Sequence, residues 1–232
     1  MERPKILVVD DEKEIADLID IYLTNEGCQV TKANNAAEAL RLLDMEAFHL
    51  VILDIMMPGM DGLEACRYIR SSRNLPIIML SAKSEDIDKI MGLSTGADDY
   101  MTKPFNPLEL IARVKSQLRR FLYLNPQTVL NNSKNIVINN LSIDPVSHKV
   151  LLNENEIILT PTEFEILYLL GGNRGRVFSS EEIFERVWKE QYFDSNNTVM
   201  VHIRNIREKI EDDPRKPQYI KTVWGVGYKI EK

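Results

Sequence analysis

The residues best suited to chemistry stand where apolar runs stop. The run at 6–9 ends in Asp10 and Asp11, the run at 50–53 in Asp54, the run at 76–80 in Ser81, and the run at 100–102 in Lys103. Three carboxylates suit a magnesium ion, which takes oxygen ligands in octahedral geometry and keeps several waters. A cation there would offset the repulsion between a carboxylate and an arriving phosphoryl group. Asp54 is the candidate nucleophile, Lys103 its counter-charge, and Ser81 a hydrogen-bond donor to a phosphoryl oxygen. Acidic residues also cap helices that follow strands, so a lone Asp would say little. Five complementary groups at four strand ends point instead to a Mg2+-dependent phosphoryl-acceptor site.

Those groups meet only if the runs are strands of one sheet. Continuous apolar runs of this length read as parallel strands buried on both faces. In an open parallel sheet, functional groups gather beyond the carboxyl ends of the strands. Between the runs, residues 12–22 carry Ile15, Leu18, Ile19 and Tyr22 at helical spacing, and 36–43 and 63–69 repeat the pattern. Alternating strand and helix implies right-handed crossovers and one parallel sheet. After Arg119 and Arg120 the texture changes. Residues 123–134, with Pro126 and several Asn, read as a linker between a domain at 1–122 and another at 135–232.

The second half opens with short strands at 136–138, 141–143, 150–152 and 156–159, broken by turn residues Asn139, Asn140, Asp144 and Pro145. Thr160, Pro161 and Glu163 fit the N-cap, N1 and N3 positions of a helix that runs to Leu170 and stops at Gly171 and Gly172. A second helix starts at Ser179 and ends near Trp188. A loop with Tyr192, Phe193 and Asp194 follows, then a third helix over about 197–210. The tail from 219 to 230 reads as a hairpin turning at Gly225, Val226 and Gly227.

At 232 residues and 44% hydrophobic, the chain suits two modest domains with real cores. Cys28 and Cys66 are its two cysteines, which gives no disulfide framework. No apolar stretch approaches a membrane span, and Asp10 and Asp11 interrupt what would be a signal-peptide core. The expectation is a cytoplasmic protein with no membrane contact. Net charge is −6, unevenly spread: residues 1–122 carry −5, 123–232 carry −1, and 197–232 carry +3. A basic tail allows a small DNA-binding surface, though not an extended one.

Residues 1–122 resemble the receiver domain of response regulators, through the ordered set Asp10, Asp11, Asp54, Ser81, Lys103 and the strings DIMMPGMDG and TKPF. The region from 136 resembles the winged-helix effector of OmpR/PhoB-type transcription factors, through LTPTEFEIL, NTVMVHIRNIREKI and YIKTVWGVGYKI. The resemblance implies an α/β, flavodoxin-like, doubly wound five-stranded parallel receiver in strand order 2-1-3-4-5, followed by a winged helix-turn-helix domain. It also implies that Asp54 accepts a phosphoryl group from a cognate sensor histidine kinase. Asp10, Asp11, Asp54 and the backbone carbonyl of Met56 would hold Mg2+. Tyr100 would be the switch aromatic that follows the Ser81 hydroxyl inward. Met56 and Lys83 flank the site and would tune the phosphate lifetime. A homodimer would form on activation, joined by Lys89–Glu109, Asp99–Arg113 and Asp98–Arg120 across a two-fold axis. Ile90, Leu93, Leu110 and Ala112 are the candidate apolar strip beneath those pairs. Double-stranded promoter DNA and RNA polymerase are the implied partners on the output side. The strings SNNTV, VHIR and YIKTVWGVGYKIEK are similar to those of regulators of inducible vancomycin resistance, so glycopeptide-resistance genes are the implied targets.

The third helix has two faces by periodicity. Val199, Ile203, Ile206 and Ile210 recur at core spacing. The opposite face carries Thr198, Val201, Asn205 and Glu208. His202, Arg204 and Lys209 lie on the flanks, and Arg207 lies nearer the core. A major-groove helix uses its outer face for bases and its flanks for phosphates. Asn205 suits adenine and Val201 a thymine methyl. Lys221, Thr222, Tyr228 and Lys229 are hairpin candidates for DNA contact. Relatives often place an Arg before the first Gly of that hairpin turn. Here the position is Trp224, which could instead pack on the strand platform or against a sugar.

Two other functions compete. A magnesium-dependent phosphohydrolase with an aspartate nucleophile would typically carry a second Asp two residues on, as acid/base, and here that position is Met56. A switch with a protein-binding output would retain the first site and lack DNA affinity.

Overall fold

The computed structural model describes residues 3–82, 92–123, 135–189 and 196–232. The chain divides into two compact units, Met1–Leu122 and Tyr123–Lys232. Apart from Tyr123, the expected linker lies outside the described residues. So do Lys83, Lys89, Ile90 and the loop with Tyr192, Phe193 and Asp194.

The first unit runs β1 (Lys5–Val9), α1 (Lys13–Asn25), β2 (Gln29–Ala33), α2 (Ala36–Met45), β3 (Leu50–Asp54), α3 (Gly62–Arg70), β4 (Ile77–Ser81), β5 (Asp99–Thr102) and α4 (Pro107–Tyr123). The sheet order is β2-β1-β3-β4-β5 with every pairing parallel. β3 and β4 are buried along their whole length, which is why they read as unbroken apolar runs. Asn35 and Asp61 cap α2 and α3, accepting at 2.8 Å from the N–H groups of Glu38 and Glu64. Part of the core lies between the sheet and α1 and α4, where Ile6, Val8, Leu50, Ile52, Ile78 and Leu80 meet Ile19, Leu23, Leu110 and Val114.

The second unit runs β6 (Ile136–Ile138), β7 (Leu141–Asp144), β8 (Lys149–Leu152), β9 (Asn155–Ile157), α5 (Pro161–Gly172), α6 (Ser180–Trp188), α7 (Asn196–Ile210), β10 (Ile220–Val223) and β11 (Gly227–Ile230). An antiparallel platform β6-β7-β8-β9 precedes the helices, and β10-β11 closes the chain as a hairpin. Thr160 and Glu163 form a reciprocal capping box at the start of α5, with Pro161 in its first turn. α5 does not stop before its glycines but runs through them. A Cβ on Gly171 would meet Ile143 Cδ1 at 3.2 Å and Ile136 Cγ2 at 3.4 Å. This glycine therefore serves the close approach of helix to platform rather than a helix end. β9 ends at Ile157, and Leu159 beyond it is buried in the core of the unit.

Candidate functional site

Strand register explains how distant residues meet. Val9 pairs with Leu53 across β1 and β3, and Asp54 pairs with Leu80 across β3 and β4. Asp10 and Asp54 therefore follow paired residues on adjacent strands, about 5 Å apart. Ser81 pairs with Thr102, and the Lys103 N–H donates to the Ser81 carbonyl at 2.6 Å. Lys103 Nζ lies 2.8 Å from Asp10 Oδ2, 3.2 Å from Asp54 Oδ1 and 3.4 Å from Glu12 Oε1. Ser81 is fully buried, Asp10 and Asp54 are buried, and Asp11 is exposed at the mouth of the site.

One lysine faces more negative charge than it can cancel. Carboxylate oxygens of Asp10, Asp11 and Asp54 all lie within 4.8 Å of one another. Burial pushes the Asp10 and Asp54 carboxyls above the ordinary carboxylate range, against the pull of Lys103. Burial alone would lower Lys103, but its contacts with Asp10 and Asp54 outweigh that and hold it above the usual lysine value. Asp10 Oδ2 and Asp54 Oδ1 approach Lys103 as ion pairs yet lack an aligned hydrogen bond. Two buried oxygens with spare lone pairs, beside an exposed third carboxylate, fit a hard divalent cation open to water on one side. The Met56 backbone N–H donates to the Asp54 carboxylate, while the Met56 side chain points to solvent at 53% exposure.

A residue that periodicity does not single out also builds this site. A Cβ on Gly62 would fall 2.1 Å from the Asp54 carbonyl oxygen and 2.8 Å from Ile55 Cα. The Gly62 N–H donates to the Ile55 carbonyl at 3.0 Å. The start of α3 thus backs directly onto the peptide of Asp54, the candidate nucleophile, and only glycine permits the approach.

Of the three pairs expected across a dimer, Asp99–Arg113 is met within a single chain, while Lys89 and the side chain of Arg120 lie outside the described residues. Arg113 Nη1 binds both carboxylate oxygens of Asp99, at 2.7 and 2.9 Å, and Arg113 Nη2 reaches Glu109 at 2.8 Å. Asp98 is fully buried and takes Arg70 at 2.6 Å and the Ile77 N–H at 3.0 Å. Leu93 and Leu110 are buried at 1% and 0% exposure, so they belong to the interior and not to an open strip, whereas Ala112 is exposed. Tyr100 is buried, its ring 3.1 Å from where a Cβ on Gly92 would sit.

In the second unit, α7 departs from the two-faced reading. Val199, Ile203, Ile206 and Ile210 are in the core as expected. Val201, His202 and Asn205, expected outside or on a flank, are 2%, 0% and 7% exposed. α7 packs against both α5 and α6, and the His202 ring lies 5.6 Å from Trp188. Packing against two helices buries His202 beside Trp188 as well as the core stripe, which a single-core wheel does not anticipate. Arg207 and Lys209 are also engaged within the unit. Arg207 donates to the Ile220 carbonyl at 2.7 and 3.1 Å and to Thr222 Oγ1 at 2.9 Å, with its guanidinium 5.9 Å from the Tyr228 ring centre. Lys209 Nζ is 2.6 Å from the buried Glu163. Arg204 stays open, paired at 2.9 Å with Glu208, and Thr198 is half-buried. Lys221, Thr222, Tyr228 and Lys229 line the hairpin, all half-buried. One turn after Arg207, the Glu211 carboxylate gathers the backbone N–H groups of Gln218, Tyr219 and Ile220. No local pattern marks Glu211, because its partners sit beyond a loop.

No described helix is long and apolar enough to cross a membrane. Residues 6–115 match the response regulator receiver domain family, and residues 154–230 match the family described as transcriptional regulatory protein, C terminal. The chain is 54% identical over 230 residues to the regulatory protein VanR of Enterococcus faecium, covering 98% of this chain and 99% of that one. It is 52% identical over 228 residues to the regulatory protein VanRc of Enterococcus gallinarum, again covering 98% and 99%. Among solved structures it is similar to DrrB, an OmpR/PhoB homolog of Thermotoga maritima, at 38% identity and TM-score 0.51 over 100% of both chains. A RitR mutant matches at 26% identity and TM-score 0.79 over 99% of each chain.

Proposed function

Because the chain belongs to the two-component response regulators of the OmpR/PhoB type, we propose that it is switched by phosphorylation of Asp54 and that its second unit reads promoter DNA. A receiver implies a sensor kinase as partner, and the C-terminal regulatory domain implies DNA. Such a protein is a switch and not a classical enzyme.

The observation that carries the reading is the buried Asp54 carboxylate, held 3.2 Å from Lys103 and within 4.8 Å of two further carboxylates. In the proposed step an Asp54 oxygen attacks phosphorus, the P–N bond of the kinase phosphohistidine breaks, and the imidazole leaves with the bonding electron pair. Lys103, 3.2 Å from Asp54, favours its ionised form against the larger effect of burial and is placed to meet a phosphoryl oxygen afterwards. Asp10, Asp11, Asp54 and the Met56 carbonyl would hold Mg2+, which supplies charge neutralisation for the incoming phosphoryl group. The Ser81 hydroxyl and the Tyr100 ring, in adjacent strands, are the elements that would respond to the added charge. Phosphorylation would promote receiver dimerisation and binding to repeated half-sites, with RNA polymerase engaged at the promoter. Similarity to the two enterococcal regulators supports glycopeptide-resistance genes as targets, and promoter DNA as the proposed target supports a cytoplasmic protein.

Labelling by acetyl phosphate with Mg2+ tests the first half of the proposal. Asp54→Asn is expected to lose all label while keeping its circular dichroism spectrum. Stoichiometric labelling of that variant would place the nucleophile elsewhere. A mobility shift on the DNA upstream of the protein's own gene, tighter for the phosphorylated chain, tests the second half.

A further inference from the structure

Gly92 stands where its backbone does not require a glycine. Residues 92–94 are helical, and a glycine in a helix is disfavoured against alanine because it has more freedom to lose. Gly27, Gly59 and Gly96 of the same unit take a positive φ, where glycine is favoured, but Gly92 does not. What Gly92 answers is a demand for space. A Cβ there would lie 3.0 Å from Met79 Sδ and 3.1 and 3.4 Å from Tyr100 Cδ2 and Cε2.

These three residues form a seat for the ring. Met79 and Tyr100 are paired across β4 and β5, so their side chains share one face of the sheet. Ser81, two residues along β4, points to that face as well. Tyr100 is 8% exposed, and Met79 and Gly92 are buried. The other face belongs to Ile78, Leu80 and Met101, which pack with Ile19 and Val114.

The wall that carries Gly92 is braced. Its carbonyl accepts from the Thr95 N–H at 3.2 Å and from the Thr95 hydroxyl at 2.6 Å. From α3, Cys66 Sγ reaches the Thr95 carbonyl at 3.6 Å and Arg70 Nε donates to the Gly96 carbonyl at 2.7 Å. Opposite, strand register fixes β4 and β5. A methyl group added at Gly92 is therefore relieved by side chains, Met79 turning its thioether and Tyr100 leaving the seat. The ring also has a direct line to the surface. The Tyr100 N–H donates at 2.8 Å to Asp99 Oδ1, on the carboxylate that holds Arg113.

We propose that Gly92 is a positioning residue of the switch: its missing Cβ makes the seat for the Tyr100 ring, and the seated ring carries the state of Asp54 to the surface around Asp99 and Arg113. The inference rests on the phosphorylation reading above and deepens it by naming the residue that admits the ring. A side chain that switches between two positions needs room in both, and Gly92 supplies the room in one.

The test uses the full chain, labelled with acetyl phosphate and Mg2+. Gly92→Ala is expected to take label at the wild-type rate, because no group of the acceptor site changes. Its phosphorylation-dependent association, followed by sedimentation, should weaken by about tenfold, the effect of crowding one methyl group into a packed site. Incorporated 3-fluorotyrosine reads the ring directly, with Tyr100→Phe assigning its resonance. A soluble paramagnetic chelate should spare that resonance in the phosphorylated wild type and broaden it in Gly92→Ala. In a Tyr100→Ala chain, where the ring is gone, Gly92→Ala should instead raise the thermal midpoint, since alanine favours the helix. This pair decides the matter even where the single variant folds poorly, and a lowered midpoint there would show that the clash is not with the ring and overturn the proposal. A labelled Gly92→Ala chain that associates as the wild type does, or whose Tyr100 resonance stays shielded, would overturn it and leave the phosphorylation reading standing. Loss of label in Gly92→Ala would assign the glycine to the acceptor site and overturn it too. A wild type that takes no label, or takes it without associating, would overturn the underlying reading and the proposal with it.

Discussion

The acidic site of the first unit and helix α7 of the second both present charged or polar side chains at regular spacing, but a sheet holds one and a helix the other. In the sheet, register assigns each strand end a fixed neighbour. Asp10 follows a residue paired with Leu53, just before Asp54, and no side-chain packing can undo that. In the helix each residue points about 100° from the last, and whatever packs alongside decides what it meets. Asn205 and Val201 lie away from the Ile203–Ile206 stripe, yet both are buried. Backbone pairing specifies a site from its own strands. Helix faces are specified by neighbours that come from elsewhere in the chain.

The largest effect expected tests whether the sheet site is as backbone-determined as this. Gly62→Ala changes no charge and no ligand, but its Cβ would fall 2.1 Å from the Asp54 carbonyl oxygen. Urea unfolding should show a loss of about 3 kcal/mol or more, and labelling by acetyl phosphate should slow sharply. A variant with wild-type stability and labelling would break the comparison at its first half.

Glu211→Ala probes the helix side. It strips the acceptor from the N–H groups of Gln218, Tyr219 and Ile220. A loss of about 2–3 kcal/mol is expected in urea unfolding, together with weaker DNA binding. Unchanged values in both would show that α7 does not hold the hairpin.

The acidic cluster makes a pH prediction with opposite signs for two states. Asp10 and Asp54 have carboxyls raised by burial. Between the ordinary carboxylate range and those raised values, the folded metal-free chain binds more protons than the unfolded one. Its stability should therefore rise as pH falls through that window. Mg2+ needs the ionised forms, so the increase in thermal midpoint that it gives at neutral pH should shrink over the same window. Scans with Mg2+ and with chelator across the acid range measure both trends, and parallel curves would contradict the assignment.

The smallest effects separate two cations of α7. Lys209→Ala should cost about 1 kcal/mol, because the buried Glu163 loses its partner while the lysine itself is partly exposed. It should leave the salt dependence of DNA binding alone. Arg204→Ala should leave stability within about 0.5 kcal/mol and flatten the salt slope by about one. Reversed roles would restore the original reading of Lys209 as a phosphate contact.

What the sequence made legible follows from the same contrast. The strand ends, their order and the residues at them were readable because apolar runs and their punctuation are local. The core stripe Val199, Ile203, Ile206 and Ile210 was readable from period alone. The partners of Arg207, Lys209 and Asp98 were not, because they stand at Ile220, Glu163 and Arg70, beyond loops or in other elements. Gly62 escaped notice for a different reason: its contribution is the absence of an atom, which no spacing rule detects.

The grip of Arg207 and Glu211 on β10 has a geometric consequence. Both lie in or just after the final turn of α7, one holding carbonyl and hydroxyl oxygens of the hairpin, the other its N–H groups. Helix and hairpin then behave as two jaws of a fixed caliper rather than as independent probes. The gap between the jaws belongs to the protein, and a duplex that engages both must bend or twist until its own grooves match that gauge.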